Sequence, residues 1–165
     1  MTEAVLVALL LADRVVVEEK TRKKSIIGTF SRMNARRFPA VFPPWYIFAA
    51  VTNISGENPF TVKLIRSSDE KVILPISGTI KAQDRRTVVE MVFAVGNAVF
   101  PGPGTYTLVF SVGDMPIGSR LLDIVDRSNS GQQGPGPRGP VGPVGPEGST
   151  EGPSNQPGPE PEPDS

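Results

Sequence analysis

Residues 45–52 read Trp-Tyr-Ile-Phe-Ala-Ala-Val-Thr, a short run with no charged side chain and apolar residues at both odd and even positions. Aromatic and β-branched residues in so short a run favour a strand. A strand with one wet face alternates; this one does not, so it belongs in the middle of a sheet with both sides covered. The rest of the chain must supply those covers.

Immediately upstream, residues 36–44 (Arg-Arg-Phe-Pro-Ala-Val-Phe-Pro-Pro) hold three prolines, which remove backbone donors and fix φ. This segment is neither helix nor central strand. Further back, residues 5–19 are apolar up to a polar break at Asp13-Arg14, resume as Val15-Val16-Val17 and end on Glu18-Glu19. The pattern predicts a strand that is long, or bent near the break. The core of this run, residues 5–12, has the length of an export-signal core, but Glu3 replaces the usual cations and Asp13-Arg14 replace a small-residue cleavage site. It is also too short to span a bilayer. We read it as a buried strand and expect a cytoplasmic protein, with an atypical export signal as the alternative. Residues 20–24 form an exposed hairpin loop, and residues 25–31 return as a second strand.

Downstream, residues 53–59 are dense in turn formers. Residues 60–66 alternate Phe60, Val62, Leu64 against Thr61 and Lys63, and residues 71–80 return with Pro75 and Gly78 marking an edge or a bulge. Residues 87–95 put Val89, Met91, Phe93 and Val95 on one face. Residues 105–112 do the same with Tyr106, Leu108, Phe110 and Val112, and Gly113-Asp114 turns the chain into a final strand over 117–125. The expected fold is therefore all-β: a single antiparallel immunoglobulin-like sandwich of about eight strands over residues 1–126. In such an arrangement Tyr106 is placed for a tyrosine-corner contact.

The stretch ALLLADRVVVEEKTRKKSIIGTFSRMNARRFPAVFPPWYIFAAVTN (residues 8–53), with AVFPGPGTYTLVF (98–110) and IGSRLLDIV (117–125), resembles an uncharacterised family of bacterial immunoglobulin-like β-sandwich proteins. The resemblance covers residues 4–125 and implies the fold and a bacterial origin. It implies no activity and transfers no functional residue.

Residues 127–165 differ in kind. Gly136, Gly139, Gly142, Gly145 and Gly148 recur every third residue, giving a short collagen-like Gly-X-Y stretch over 136–148. The tail has no aromatic residue, and its end is acidic and proline-rich. We expect it to be disordered, because so few triplets gain little against the entropy of ordering three chains. A trimerising stub and a motif for a proline-reading domain are the alternatives.

The chain's charge is balanced overall, with 15 Lys/Arg against 12 Asp/Glu in residues 1–126 and 2 against 5 in the tail. Nothing in that balance attracts nucleic acid or an anionic membrane. The chain contains neither His nor Cys, which removes the usual proton shuttle, the commonest catalytic zinc ligand and the thiol nucleophile. Neither a Gly-x-Ser-x-Gly elbow nor a phosphate-cradling glycine loop occurs. We expect no enzyme activity, no catalytic residue, no metal and no cofactor.

One internal repeat stands out: Ala40-Val41-Phe42-Pro43 recurs as Ala98-Val99-Phe100-Pro101, each copy in a proline-rich loop before a major strand. If successive strands alternate in direction, both loops lie at one end of the domain. This yields the candidate partner-binding patch: Arg36, Arg37, Phe38, Phe42, Trp45 and Phe100. In the competing reading, Phe42 and Phe100 plug the end of the core. The leading functional expectation is a non-enzymatic structural or protein-interaction module, working through an edge strand or this loop end. Its partner would be another protein or a second copy. The second expectation is a small-ligand or carbohydrate-binding sandwich using Trp45, Tyr46 and the Arg32, Arg36 and Arg37 loop, which requires an exposed Trp45. A hydrolase is a third, requiring three or more carboxylates to converge on a metal.

Overall fold

The computed structural model describes residues 3–128. The expected tail, with its Gly-X-Y stretch at 136–148, lies outside the described residues apart from Arg127 and Ser128. The described chain is all strand and turn: β1 (Val5–Val17), β2 (Lys24–Thr29), β3 (Arg32–Ala35), β4 (Ala40–Val41), β5 (Trp45–Thr52), β6 (Gly56–Arg66), β7 (Val72–Ala82), β8 (Val89–Val95), β9 (Val99–Phe100), β10 (Gly104–Val112) and β11 (Met115–Asp126). No helix among the described residues is long and apolar enough to cross a membrane.

Eleven strands replace the expected eight or so. The additions are β3, β4 and β9, of four, two and two residues. Strands this short are too brief for alternation to betray them; backbone pairing with distant segments defines them. The sheets are not purely antiparallel either, since β3 runs parallel to β11, Arg32 beside Asp123 and Ala35 beside Asp126.

Sheet A has the order β2-β1-β5-β8, sheet B the order β3-β11-β10-β6-β7, and β4 pairs with β9 in a separate ribbon. β5 lies inside sheet A, as its composition requires. Trp45, Ile47, Ala49 and Val51 on its one face join Val62, Leu64, Tyr106, Leu108, Phe110 and Leu122 of sheet B in a single buried cluster. At the side of this core, Arg120 of β11 donates from its guanidinium to the Leu9 carbonyl of β1 at 3.4 Å.

The other face of β5 is also buried: Phe48 is only 6% exposed. Its cover comes from β1 and β2. β1 pairs with β5 up to Ala12↔Tyr46 and with β2 from Ala12↔Thr29 onward, so the strand changes partners at the Asp13-Arg14 break. Opposite Asp13 stands Gly28 at φ +68°, where a Cβ would run into the Asp13 carboxylate. Beyond this point the hairpin turns back. Lys24 pairs with Val17, whereas Glu90 pairs with Ala50, which pairs with Ala8. Nine residues of extended strand separate Val17 from Ala8, about 30 Å. Yet Lys24 Nζ lies 2.7 Å from Glu90 Oε2. That contact is possible only because the hairpin arches over the outer face of sheet A, above Phe48 and Ala50.

Candidate partner-binding end

The two Ala-Val-Phe-Pro copies meet. Ala40 pairs with Phe100 and Val41 with Val99, forming the β4–β9 ribbon. Prolines at 39, 43, 44, 101 and 103 bound both segments and keep the ribbon to two residues a side. Side chains in a ribbon alternate between faces. Here Ala40, Ala98 and Phe100 enter the core, while Val41 and Val99 face solvent at 59% and 48% exposure.

Behind the ribbon the rings pack edge to face. Phe42 lies 5.3 Å from Phe100, and Phe100 lies 5.1 Å from Tyr106. The Tyr106 hydroxyl donates to the Gly102 carbonyl at 2.7 Å, four residues upstream, in the manner of a tyrosine corner. Burial pushes the Tyr106 phenol above its usual value, and the bond to Gly102 and the Arg66 charge pull the other way. Gly102 is packed against Arg66, whose guanidinium nitrogen would lie 2.9 Å from any added Cβ.

The six candidate residues divide into three kinds. Arg36 and Arg37 are exposed and form no ion pair among the described residues. Phe38 and Phe42 are half-buried and rest on the core. Trp45 and Phe100 are core residues, 3% and 0% exposed, and leave the surface patch. Trp45 sits on the odd-numbered face of β5 that looks between the sheets, its ring 5.9 Å from Phe30. Phe100 sits on the inward side of the ribbon, wedged between Phe42 and Tyr106. With Trp45 inside, the carbohydrate reading loses its stacking platform.

The residues missing from the sequence reading are Val41 and Val99. Their signal lies in the repeat itself: in a period-2 ribbon, the residue before a buried Phe must face outward. A recess of about 380 Å³ adjoins the ribbon, lined by Asp13, Met33, Asn34, Phe42, Pro43, Pro44 and Trp45. A second cleft of about 550 Å³ lies among Glu3, Ala4, Ile54, Asn58, Val112, Met115 and Ile117. Among the described residues, no three acidic side chains gather as a metal site would require.

These features define an all-β domain with one core and an apolar two-stranded tip. The chain belongs to the Family of unknown function (DUF6941), whose pattern matches residues 7–125. No curated protein matches it. Among solved structures it is similar to an immunoglobulin-like protein from Pseudomonas aeruginosa, at 12% identity and a TM-score of 0.39, over 74% of this chain and 96% of that one.

Proposed function

We propose that this chain is a non-enzymatic protein-interaction module that receives another protein at the β4–β9 end. The observation behind this reading is the pair Val41 and Val99, opposite each other and both about half exposed. The inward side of the ribbon is already filled by Ala40, Ala98 and Phe100, so the core has no use for two more β-branched side chains on the solvent side. An apolar centre flanked by half-buried phenylalanines, with Arg36 and Arg37 beside it in sequence, has the composition of an interface: hydrophobic core, arginine-bearing rim. The lack of His and Cys supports the non-enzymatic part.

We infer further that the two sheets form an immunoglobulin-like sandwich. Two mainly antiparallel sheets contribute to one buried cluster, and the Tyr106–Gly102 bond has the form of the corner characteristic of that class.

The test is a photoreactive side chain at position 41 of the full chain, with position 79 on β7 as control. The captured protein is then purified and its affinity measured against Val41→Asp and Val99→Asp. Capture specific to position 41, with at least about a tenfold loss in both variants, is expected. Equal capture at both positions, or unchanged affinity, would rule the tip out as the interface. Both valines are exposed, so the melting temperature serves as the folding control.

A further inference from the structure

Two sheets leave four edge strands: β2 and β8 in sheet A, β3 and β7 in sheet B. An open edge is a row of unpaired N–H and C=O groups, and proteins that must stay monomeric blunt it with proline, glycine kinks, lysine or extreme shortness. Three of the four edges are blunted. β7 carries Pro75, Gly78 and the exposed Lys81 within it and follows directly on Lys71. β3 has four residues, the first of them Arg32. β2 has six residues, contains Gly28 at positive φ, and belongs to the arched hairpin.

β8 has none of these devices. Its seven residues, Val89-Glu90-Met91-Val92-Phe93-Ala94-Val95, include no proline or glycine and a single charge. They pair with β5 alone. Among the described residues, no other backbone or side-chain hydrogen bond reaches their backbone groups. Val89, Met91 and Phe93 pack against the core yet remain half-buried, so part of their apolar surface stays open to solvent.

We propose that β8 pairs antiparallel with β8 of a second copy, so that sheet A runs on through both protomers. The sequence of the strand itself selects this occupant. A two-fold axis at Val92 uses all seven residues, setting Val89 against Val95, Glu90 against Ala94 and Met91 against Phe93. In that register no like charges oppose each other, and side chains keep their faces. Each Glu90 meets a small residue, which leaves room for its bond to its own Lys24. Such a strand complements itself, which is what a two-fold interface demands. This edge is distinct from the β4–β9 tip and does not depend on the reading of that tip.

The experiment is light scattering and sedimentation of the full chain over a range of concentrations, for wild type, Ala94→Glu and Ala94→Lys. Ala94 is exposed, so both variants should fold, with melting temperatures close to wild type. Wild type is expected to reach twice its 17.6 kDa mass as concentration rises. Ala94→Glu sets two carboxylates against each other at two symmetric positions and should weaken the dimer by about tenfold. Ala94→Lys faces Glu90 at the same positions and should retain or tighten it. A monomer at every concentration overturns the proposal. So does equal weakening by both variants, or an assembly indifferent to both, such as a trimer held by the Gly-X-Y stretch.

Discussion

The two copies of Ala-Val-Phe-Pro are the same tetrapeptide, lie side by side, and have different fates. In the second copy Phe100 is sealed between Phe42 and Tyr106; in the first, Phe42 is half-buried at the mouth of a recess. The cause lies in the residues C-terminal to each copy. After Phe100 the chain passes Gly102, which lets the backbone sit against Arg66 and accept the Tyr106 hydroxyl, and β10 then closes over the ring. After Phe42 come two exposed prolines that carry the chain around to β5 without covering the ring. Identical residues thus become plug and rim according to their flanks, while the valines of both copies stay outside.

That contrast breaks most visibly at the phenylalanines. Phe100→Ala removes a fully buried ring with two aromatic partners and should cost about 3–5 kcal/mol of unfolding free energy, read by denaturant titration. Phe42→Ala should cost less than half as much, because part of its surface is already wet. Equal losses would mean that both rings are plugs and that the difference in burial is energetically empty.

The middle of the scale belongs to Tyr106. Tyr106→Phe keeps the ring contacts and leaves the Gly102 carbonyl without its donor, at a cost of about 1–2 kcal/mol. The same variant changes the response to pH. Burial holds the folded phenol above its ordinary value of about 10, so the unfolded chain gives up this proton first. The corresponding stability is complete below about pH 10 and declines as pH rises beyond it. The alkaline slope of stability should therefore be shallower in Tyr106→Phe than in wild type. Parallel slopes would show that the buried hydroxyl titrates like a free one.

How far the sequence can be read depends on the reach of each interaction. The central place of β5 is legible because residues 45–52 are apolar on both faces, a local fact. The Asp13-Arg14 break marks where β1 bends. The cover over Phe48 is not legible: the arch is pinned by Lys24 and Glu90, 66 residues apart, and no local pattern encodes that meeting. β3 escapes a sequence reading for a related reason, since the four alternating residues Arg-Met-Asn-Ala are too few to mark a strand and become one by pairing with β11. At the tip, the repeat reveals that two like loops exist. It cannot reveal which phenylalanine is sealed, because both copies have the same four residues.

The smallest expected effect bears most directly on function. Val41→Thr and Val99→Thr replace a methyl with a hydroxyl, keep the β-branched shape that suits a strand, and leave the tip wet. If the valines only completed the ribbon, nothing in the free protein would register the change. Stability should then stay within about 0.5 kcal/mol of wild type for each variant, and the double variant should be additive. A larger loss in the free protein would mean that the valines pack against their own chain, so that the tip belongs to the fold. A negligible loss leaves two apolar side chains exposed where threonine would serve equally well. Folding alone then does not account for the two valines, in keeping with the interface proposed at this tip.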